Sequence, residues 1–453
     1  MTSDVRRFLR PETFFICRDT QNRAGYSLSH LLIMENLPDD TYLPAGSSLA
    51  LPDAVAANAT ECCIFLQQPQ LSQVKTQTQG DANYQRLIRD ADSALQKPLL
   101  SVTDKGLTPP SGDKHDYLSL GAYWWPDANK PNGLPWVRRD GQVNPASKNA
   151  QSDGVRLAEF TQRVQTLALA GYFSGQQRYS DRAIALIRTW FIAPSTRMNP
   201  NLNYAQGIPG RDSGRGNGIL DGRYFATRIV DSLLLLQQTP GWMAQDESQM
   251  QQWFDRYLDW LLHSPAGKQE AAAKNNHGSW YTVQVAGIAA WLGRDDVVRD
   301  MTELMQHKLD LQLAVNGSQP QELLRTRSFH YSYFNLQALV LMAVVAQRQG
   351  IDLWHYRTEQ GSSLLAALDF MAPYVDAAHP WPYPSLDRVG VRIVPLLIQT
   401  DSMLKTTRYQ AVIEKAQFDA AQWQGKESYV RGAVKEAMQQ SWLEAGREPV
   451  APQ

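Results

Sequence analysis

Apolar residues recur at intervals of three and four along most of this chain from about residue 80 onward, the spacing of helices that bury one face. The pattern predicts helices in "VRLAEFTQRVQTLALAGYFSG", "DRAIALIRTWFIA", "RYFATRIVDSLLLLQQ", "MQQWFDRYLDWLLHS", "WYTVQVAGIAAWLG", "DVVRDMTELMQHKLDLQLA" and "YFNLQALVLMAVVAQRQG". No strand–helix–strand alternation interrupts them. Short connections such as "GQQRYS" (Gly175 to Ser180) and "GRDD" (Gly293 to Asp296) make successive helices antiparallel neighbours. No repeat consensus of a solenoid is present. The expected class is therefore all-α, an α/α toroid: a barrel of about six or seven antiparallel helix hairpins, closed or incomplete, with its long polar connections around one mouth.

Three stretches break the helical pattern. Residues 1–60, with "LPDDTYLPAGSSLALPDA", lack periodicity and predict an irregular arm ahead of a toroid domain over 61–445. Residues 103–150 are rich in Pro and Gly yet contain Tyr117, Tyr123, Trp124, Trp125 and Trp136, an aromatic content that argues against disorder. Residues 198–220 are polar and Gly-rich. Connections of this length in a compact domain are commonly functional.

Composition then removes several function classes. The 453 residues carry 44 Lys and Arg against 45 Asp and Glu, so no global basic field recruits nucleic acid or an anionic membrane. No run approaches about 18 apolar residues, so no membrane span is expected. The N-terminal sequence shows no secretory signal. Cys17, Cys62 and Cys63 make no disulfide framework and are expected as plain buried thiols. The histidines show no HxxxH or HxH spacing and no CxxC exists, so neither a metal nor another cofactor is implied. "GRGNG" lacks the Lys of a phosphate loop and there is no GxSxG elbow.

Two polar clusters remain, each at the start of an apolar helix. In "KNNHGSWY" one of Asn275 and Asn276 caps the helix and the other is free; His277 falls in the first turn, where the helix dipole favours neutral imidazole. In "QELLRTRSFHYSYFNLQAL", Arg325, Arg327, Ser328, His330, Tyr331, Tyr333 and Asn335 gather likewise, and a guanidinium near Tyr331 is expected to favour phenolate and fit it to act as a base. The aromatic connection offers flat faces for sugar rings, and Arg138 or Arg139 a partner for a carboxylate. These groups together suit an acidic carbohydrate. Paired carboxylates for glycoside hydrolysis stay open among Asp116, Asp127, Asp221 and Glu322.

Six blocks in order, "HDYLSLGAYWWPD", "GLPWVRRDGQVNP", "GILDGRYF", "NNHGSWY", "ELLRTRSFHYS" and "WPYPS", resemble the alginate-lyase superfamily, in particular polysaccharide lyase family thirty-eight and more distantly family five. The resemblance spans about residues 60 to 439 and implies an α/α toroid that cleaves β-1,4-linked polyuronate by β-elimination. The implied substrate is glucuronan or mannuronate-rich alginate; a glycoside hydrolase on a similar toroid and a non-catalytic uronate-binding protein are the alternatives. The family's catalytic Asn-His pair, Arg and Tyr fall on Asn276, His277, Arg325 and Tyr331, with Arg327 a rival for the arginine because the Arg-to-Tyr spacing is one residue shorter than in family five. Tyr117, Tyr123, Trp124, Trp125, Arg138, Arg223, Arg327 and Tyr383 are the expected substrate-binding residues. The resemblance implies no metal or other cofactor, an acidic polysaccharide or oligouronate as substrate with no nucleic acid or membrane partner, and a periplasmic or secreted location.

Overall fold

The computed structural model describes residues 62–416, Phe418 and residues 428–446; the expected arm at 1–60 lies outside the described residues. Helices dominate, in the order α1 (Gln68–Thr76), α2 (Ala82–Gln96), α3 (Gly154–Ser174), α4 (Gln177–Ile187), α5 (Asp231–Leu236), α6 (Ala244–His263), α7 (Pro265–Ala271), α8 (Asn276–Trp291), α9 (Asp295–Gln312), α10 (Pro320–Leu323), α11 (Ser328–Arg348), α12 (Leu364–Met371), α13 (Val394–Leu404), α14 (Gln410–Glu414) and α15 (Ser428–Ala445). Helix α5 continues a π turn over Phe225–Val230. The inner wall of the ring runs α3, α5 with its π turn, α8, α11, α13 and α15, and α1 closes it back onto α3. Outside it, α4 packs on α3, α9 on α8, and α12 on α11. This is the expected toroid.

Position in the ring explains the hydrophobic patterns. Helix α2 lies outside and buries one stripe, Leu87, Ala91 and Ala94, whereas α8 and α11 are buried on nearly every side and accordingly apolar all round. Helix α11 is long and apolar enough by composition to cross a bilayer, but 83% of its apolar window is buried in the protein. Its hydrophobicity serves the core. Between α3, α4 and α6 the filling is aromatic: Phe160 stacks on Trp190 at 4.5 Å, and Phe191, Phe225, Trp253 and Phe254 meet edge to face beyond it.

Four short strands lie in the two long connections: β1 (Leu118–Leu120), β2 (Trp124–Trp125), β3 (Val137–Arg138) and β4 (Tyr204–Gly207). Strands β2 and β3 pair antiparallel as a hairpin, and β1 pairs parallel with β4, so the two connections are stitched to one another. Asp153, just before α3, accepts from the Leu118 N–H at 3.0 Å and pairs with buried Lys105 at 2.8 Å and with Arg156 at 3.0 Å. The paired backbone carries Trp124 and Trp125 on the hairpin, with Tyr123 just before it reaching Tyr331 of α11.

The first described residues close the opposite end. The Asp231 carboxylate accepts from the backbone N–H groups of Ile64 (2.6 Å), Phe65 (3.2 Å) and Leu66 (3.0 Å). Arg348, at the C-terminal end of α11, donates to the carbonyls of Ile64 and Leu66, and Gln399 of α13 to that of Phe65. The Phe65 ring lies against Gly287 of α8, where an added Cβ would come within 2.9 Å of it. Cys62 and Cys63 are joined to each other as an adjacent disulfide, not the free thiols expected from the sequence.

Candidate active site

The first turns of α8 and α11 open at the same end of the ring, beneath the β2–β3 hairpin. Asn275 is the cap of α8: its side chain accepts from the His277 N–H at 3.1 Å. Asn276 is fully buried and does not stand free in a cleft, as the sequence suggested. Glu322, on α10 and 2% exposed, accepts from the Asn276 backbone N–H at 2.8 Å and from its Nδ2 at 3.0 and 3.3 Å. The Asn276 Oδ1 is buried with no hydrogen-bond partner among the described residues. His277 Nδ1 sits 3.1 Å from Oε2 of Glu270, itself 3% exposed. Burial pushes the Glu322 carboxyl above its ordinary range, although the Asn276 hydrogen bonds and the charges of Arg325 and His277 oppose it. Glu322 thus links the Asn-His pair to the second cluster.

That cluster centres on Tyr331, 7% exposed. Its hydroxyl is 2.5 Å from the Tyr123 hydroxyl, and the Arg325 guanidinium lies 3.8 Å from its ring centroid. Arg325 forms a fork on Asp140 at 2.7 and 3.2 Å, and Thr326 donates to the same carboxylate through backbone and hydroxyl. Arg327 pairs with Asp387 at 2.6 Å and donates to the Tyr123 hydroxyl at 3.3 Å. His330 stacks on Phe334 and meets the edge of Tyr331 at 4.9 Å. Burial, then Arg327, Arg392, Arg223 and Arg325, hold it well below the ordinary imidazole value and therefore neutral.

The electrostatics of Tyr331 differ from expectation. Arg325 and Arg327 favour the phenolate, but burial and the neighbouring Tyr123 outweigh them, so the free phenol titrates above its ordinary value. Two guanidiniums do not overcome desolvation.

The other expected residues divide. Tyr123 and Arg327 meet at Tyr331. The guanidiniums of Arg211 and Arg215 lie 5.5 and 5.6 Å from the Trp124 ring, and Trp125 faces Arg139 at 5.4 Å while its Nε1 donates to the Gln142 carbonyl. Arg138 is exposed and pairs with Asp140 at 2.9 Å. Arg223 packs over Tyr224 at 4.2 Å and Phe334 at 5.4 Å, with hydrogen bonds to the Leu220 carbonyl and the Tyr224 hydroxyl. Tyr383 belongs to an aromatic cluster with Trp381 and Phe370. Tyr117 is a correction: it is 1% exposed and donates to Asp221, so it forms wall and offers no face to a sugar. Asp221 also accepts from Ser119 and Gln206, which makes it the centre of a buried network.

Sequence reasoning missed the carboxylates that hold these groups. Glu270, Asp140 and Asp387 were not singled out, and Glu322 was considered only for hydrolysis. Asp140 directly follows Arg138-Arg139 and Glu322 stands three residues before Arg325, so acids next to candidate cations were the available signal.

With this geometry in place, the alginate lyase family model matches residues 101–381, which spans both clusters and the hairpin above them. The chain belongs to the alginate lyase family. As a family member it is a polysaccharide lyase. An alginate lyase from Bacteroides ovatus is 34% identical, with 82% of this chain and 98% of that one covered and a TM-score of 0.73. A histidine-to-alanine variant of alginate lyase A1-III, complexed with a tetrasaccharide, is 16% identical over 80% of this chain and 92% of that one, with a TM-score of 0.51, a likeness of fold. No curated protein matches. Glycoside hydrolysis, open on sequence alone, gives way to lyase chemistry.

Proposed function

We propose that the protein cleaves a β-1,4-linked polyuronate, glucuronan or mannuronate-rich alginate, by β-elimination, with Tyr331 as base and acid. The observation that carries this reading is the Tyr331 hydroxyl held 2.5 Å from Tyr123 with Arg325 3.8 Å over its ring. The C5 proton of a uronate is weakly acidic, and its removal places negative charge on the adjacent carboxylate. Arg325 receives that carboxylate, the buried Asn276 amide adds a donor once its NH2 is turned from Glu322, and Arg327 supports the tyrosine pair. The Tyr331 phenolate takes the C5 proton, the C4–O bond breaks, and the same hydroxyl returns the proton to the departing oxygen. The products are a C4–C5 unsaturated end and a new hydroxyl on the other fragment.

The resting phenol is neutral, so phenolate must be stabilised in the complex. The Arg325 guanidinium over the ring and the nearby Arg327 favour it. The sign follows: if a base with a raised value must be deprotonated, kcat rises with pH. In glucuronate and mannuronate the C5 hydrogen and C4 oxygen lie on one face, which suits a single group acting twice. Guluronate requires a second group on the other face, and His277, oriented by Glu270, is the candidate. Trp124, Trp125 and Arg138 form the flanking subsites, and a polysaccharide substrate fits a periplasmic or secreted enzyme.

Digestion of glucuronan, polymannuronate and polyguluronate side by side, followed by ultraviolet absorbance of the C4–C5 double bond, tests the proposal. Expected is rapid absorbance growth on one of the first two and slow growth on polyguluronate. Cleavage without new absorbance overturns elimination, and preference for polyguluronate removes the single-tyrosine route.

A further inference from the structure

We propose that Glu322 is a positioning residue whose protonation decides which end of the Asn276 amide faces the substrate's carboxylate; this rests on the elimination reading above. In the structure both Glu322 oxygens accept from Asn276, one from the backbone N–H and both from Nδ2. The amide therefore turns its NH2 toward Glu322 and leaves Oδ1 buried and unpartnered. A carbonyl oxygen is an acceptor and repels a carboxylate. In this state Asn276 is oriented against the task its chemistry suits.

A proton on Glu322 reverses the arrangement without moving the backbone. Oε1 continues to accept from the Asn276 N–H, the new Oε2–H donates to Oδ1 of an amide rotated by half a turn, and Nδ2 takes the place of the orphaned oxygen. The rotated amide presents two N–H donors to the uronate carboxylate. Substrate itself promotes the change, because two carboxylates sharing one small buried site do not both ionise readily. The ionisable groups facing Glu322 are His277 of α8 and Arg325 after α10; the guanidinium favours its ionised form, as does the imidazole when it carries a proton. Arg325 is half of the substrate's own clamp in the proposed mechanism, so a bound carboxylate cancels that influence. Desolvation of Glu322, the largest influence on its titration, acts in the same direction as the substrate. Linkage makes the effect reciprocal: substrate that favours neutral Glu322 binds more weakly as Glu322 ionises.

Glu322→Gln separates this role from plain support. The substituted side chain is uncharged, accepts the Asn276 N–H through its oxygen and donates through its amide to Oδ1, and so copies the protonated arrangement at every pH. Glu322→Ala removes both bonds. With kcat/KM measured across pH by ultraviolet absorbance, Glu322→Gln should retain activity within about threefold of wild type at low pH, whereas Glu322→Ala loses roughly 10²-fold. The ratio of Glu322→Gln to wild type should climb with rising pH, approaching about tenfold per unit where Glu322 is ionised in the free enzyme. The ratio cancels every other titrating group. A ratio flat with pH, or a Glu322→Gln variant as inactive as Glu322→Ala, overturns the inference while wild-type lysis leaves the elimination reading standing. If Glu322→Gln does not fold, calorimetry of Tyr331→Phe with an oligouronate in two buffers of different ionisation enthalpy decides: net proton uptake on binding supports the inference and its absence overturns it.

Discussion

Helices α8 and α11 start side by side with similar polar residues, yet the two starts are held by different means. At α8 the support is local and buried: Asn275 caps, Glu270 lies seven residues before His277, and Glu322 comes from the short helix just ahead of α11. At α11 the support is distant. Asp140 and Tyr123 reach Arg325 and Tyr331 from residues about two hundred positions earlier, and Asp387 reaches Arg327 from about sixty later. The first cluster is fixed by packing within the ring, and the second exists only once the aromatic hairpin lies over the mouth. The buried frame surrounds its groups with close partners, and the frame assembled by loops brings residues distant in sequence onto Tyr331 and Arg325.

The largest expected effect sharpens the role of the loop-held cluster. Tyr331→Phe should lower kcat by roughly 10²- to 10⁴-fold with oligouronate affinity nearly unchanged, because it removes the proposed proton acceptor and keeps the ring under Arg325. Steady-state kinetics and calorimetric binding check it, and a variant with a tenth of wild-type turnover removes Tyr331 from the proton transfer. Next, the adjacent amides of the buried cluster should part. Asn276→Ala should reduce kcat and kcat/KM together by roughly 10²-fold, whereas Asn275→Ala should cost about 1 kcal/mol of stability with little loss of turnover. Thermal melts beside kinetics distinguish them; the opposite pattern means the amides exchange roles.

Two smaller effects test the frame itself. Asp140→Ala releases Arg325 from its fork and should lower kcat/KM about tenfold through misplacement. Burial alone would raise the Asp140 carboxyl, but Arg325 and Thr326 hold it well below its ordinary range. A depressed value means the anchor is intact above the usual carboxylate range and fails only as pH falls through the lowered one, so the hairpin stays docked in mild acid. Loss of activity near the ordinary carboxylate value that disappears in Asp140→Ala contradicts this. Trp124→Ala and Trp125→Ala should raise KM roughly 3- to 10-fold with kcat kept, about one aromatic contact each. A lowered melting temperature with unchanged KM assigns them to packing.

The same contrast explains what could be read from sequence. The ring was legible because inner and outer helices write different hydrophobic patterns, and because "GQQRYS" and "GRDD" are too short to do anything but turn the chain back. The cap at Asn275 followed from local rules as well. Partners separated by long stretches of chain were not legible: nothing in "WVRRDG" announces that Asp140 takes Arg325 when Arg138 stands beside it. Nor does Tyr117, one residue before β1 and six before Tyr123, show in its surroundings that it turns inward to Asp221. Desolvation was the other gap, since the balance at Tyr331 depends on how much water the completed fold removes.

The segment that places Phe65 among α5, α8, α11 and α13 makes the two ends of the ring different in kind. With three backbone N–H groups on Asp231 and carbonyls on Arg348 and Gln399, the far side of the ring is stoppered. The two faces of the ring are therefore unlike: one is sealed by polar bonds of the chain's own backbone, and the other carries the Tyr331 cluster.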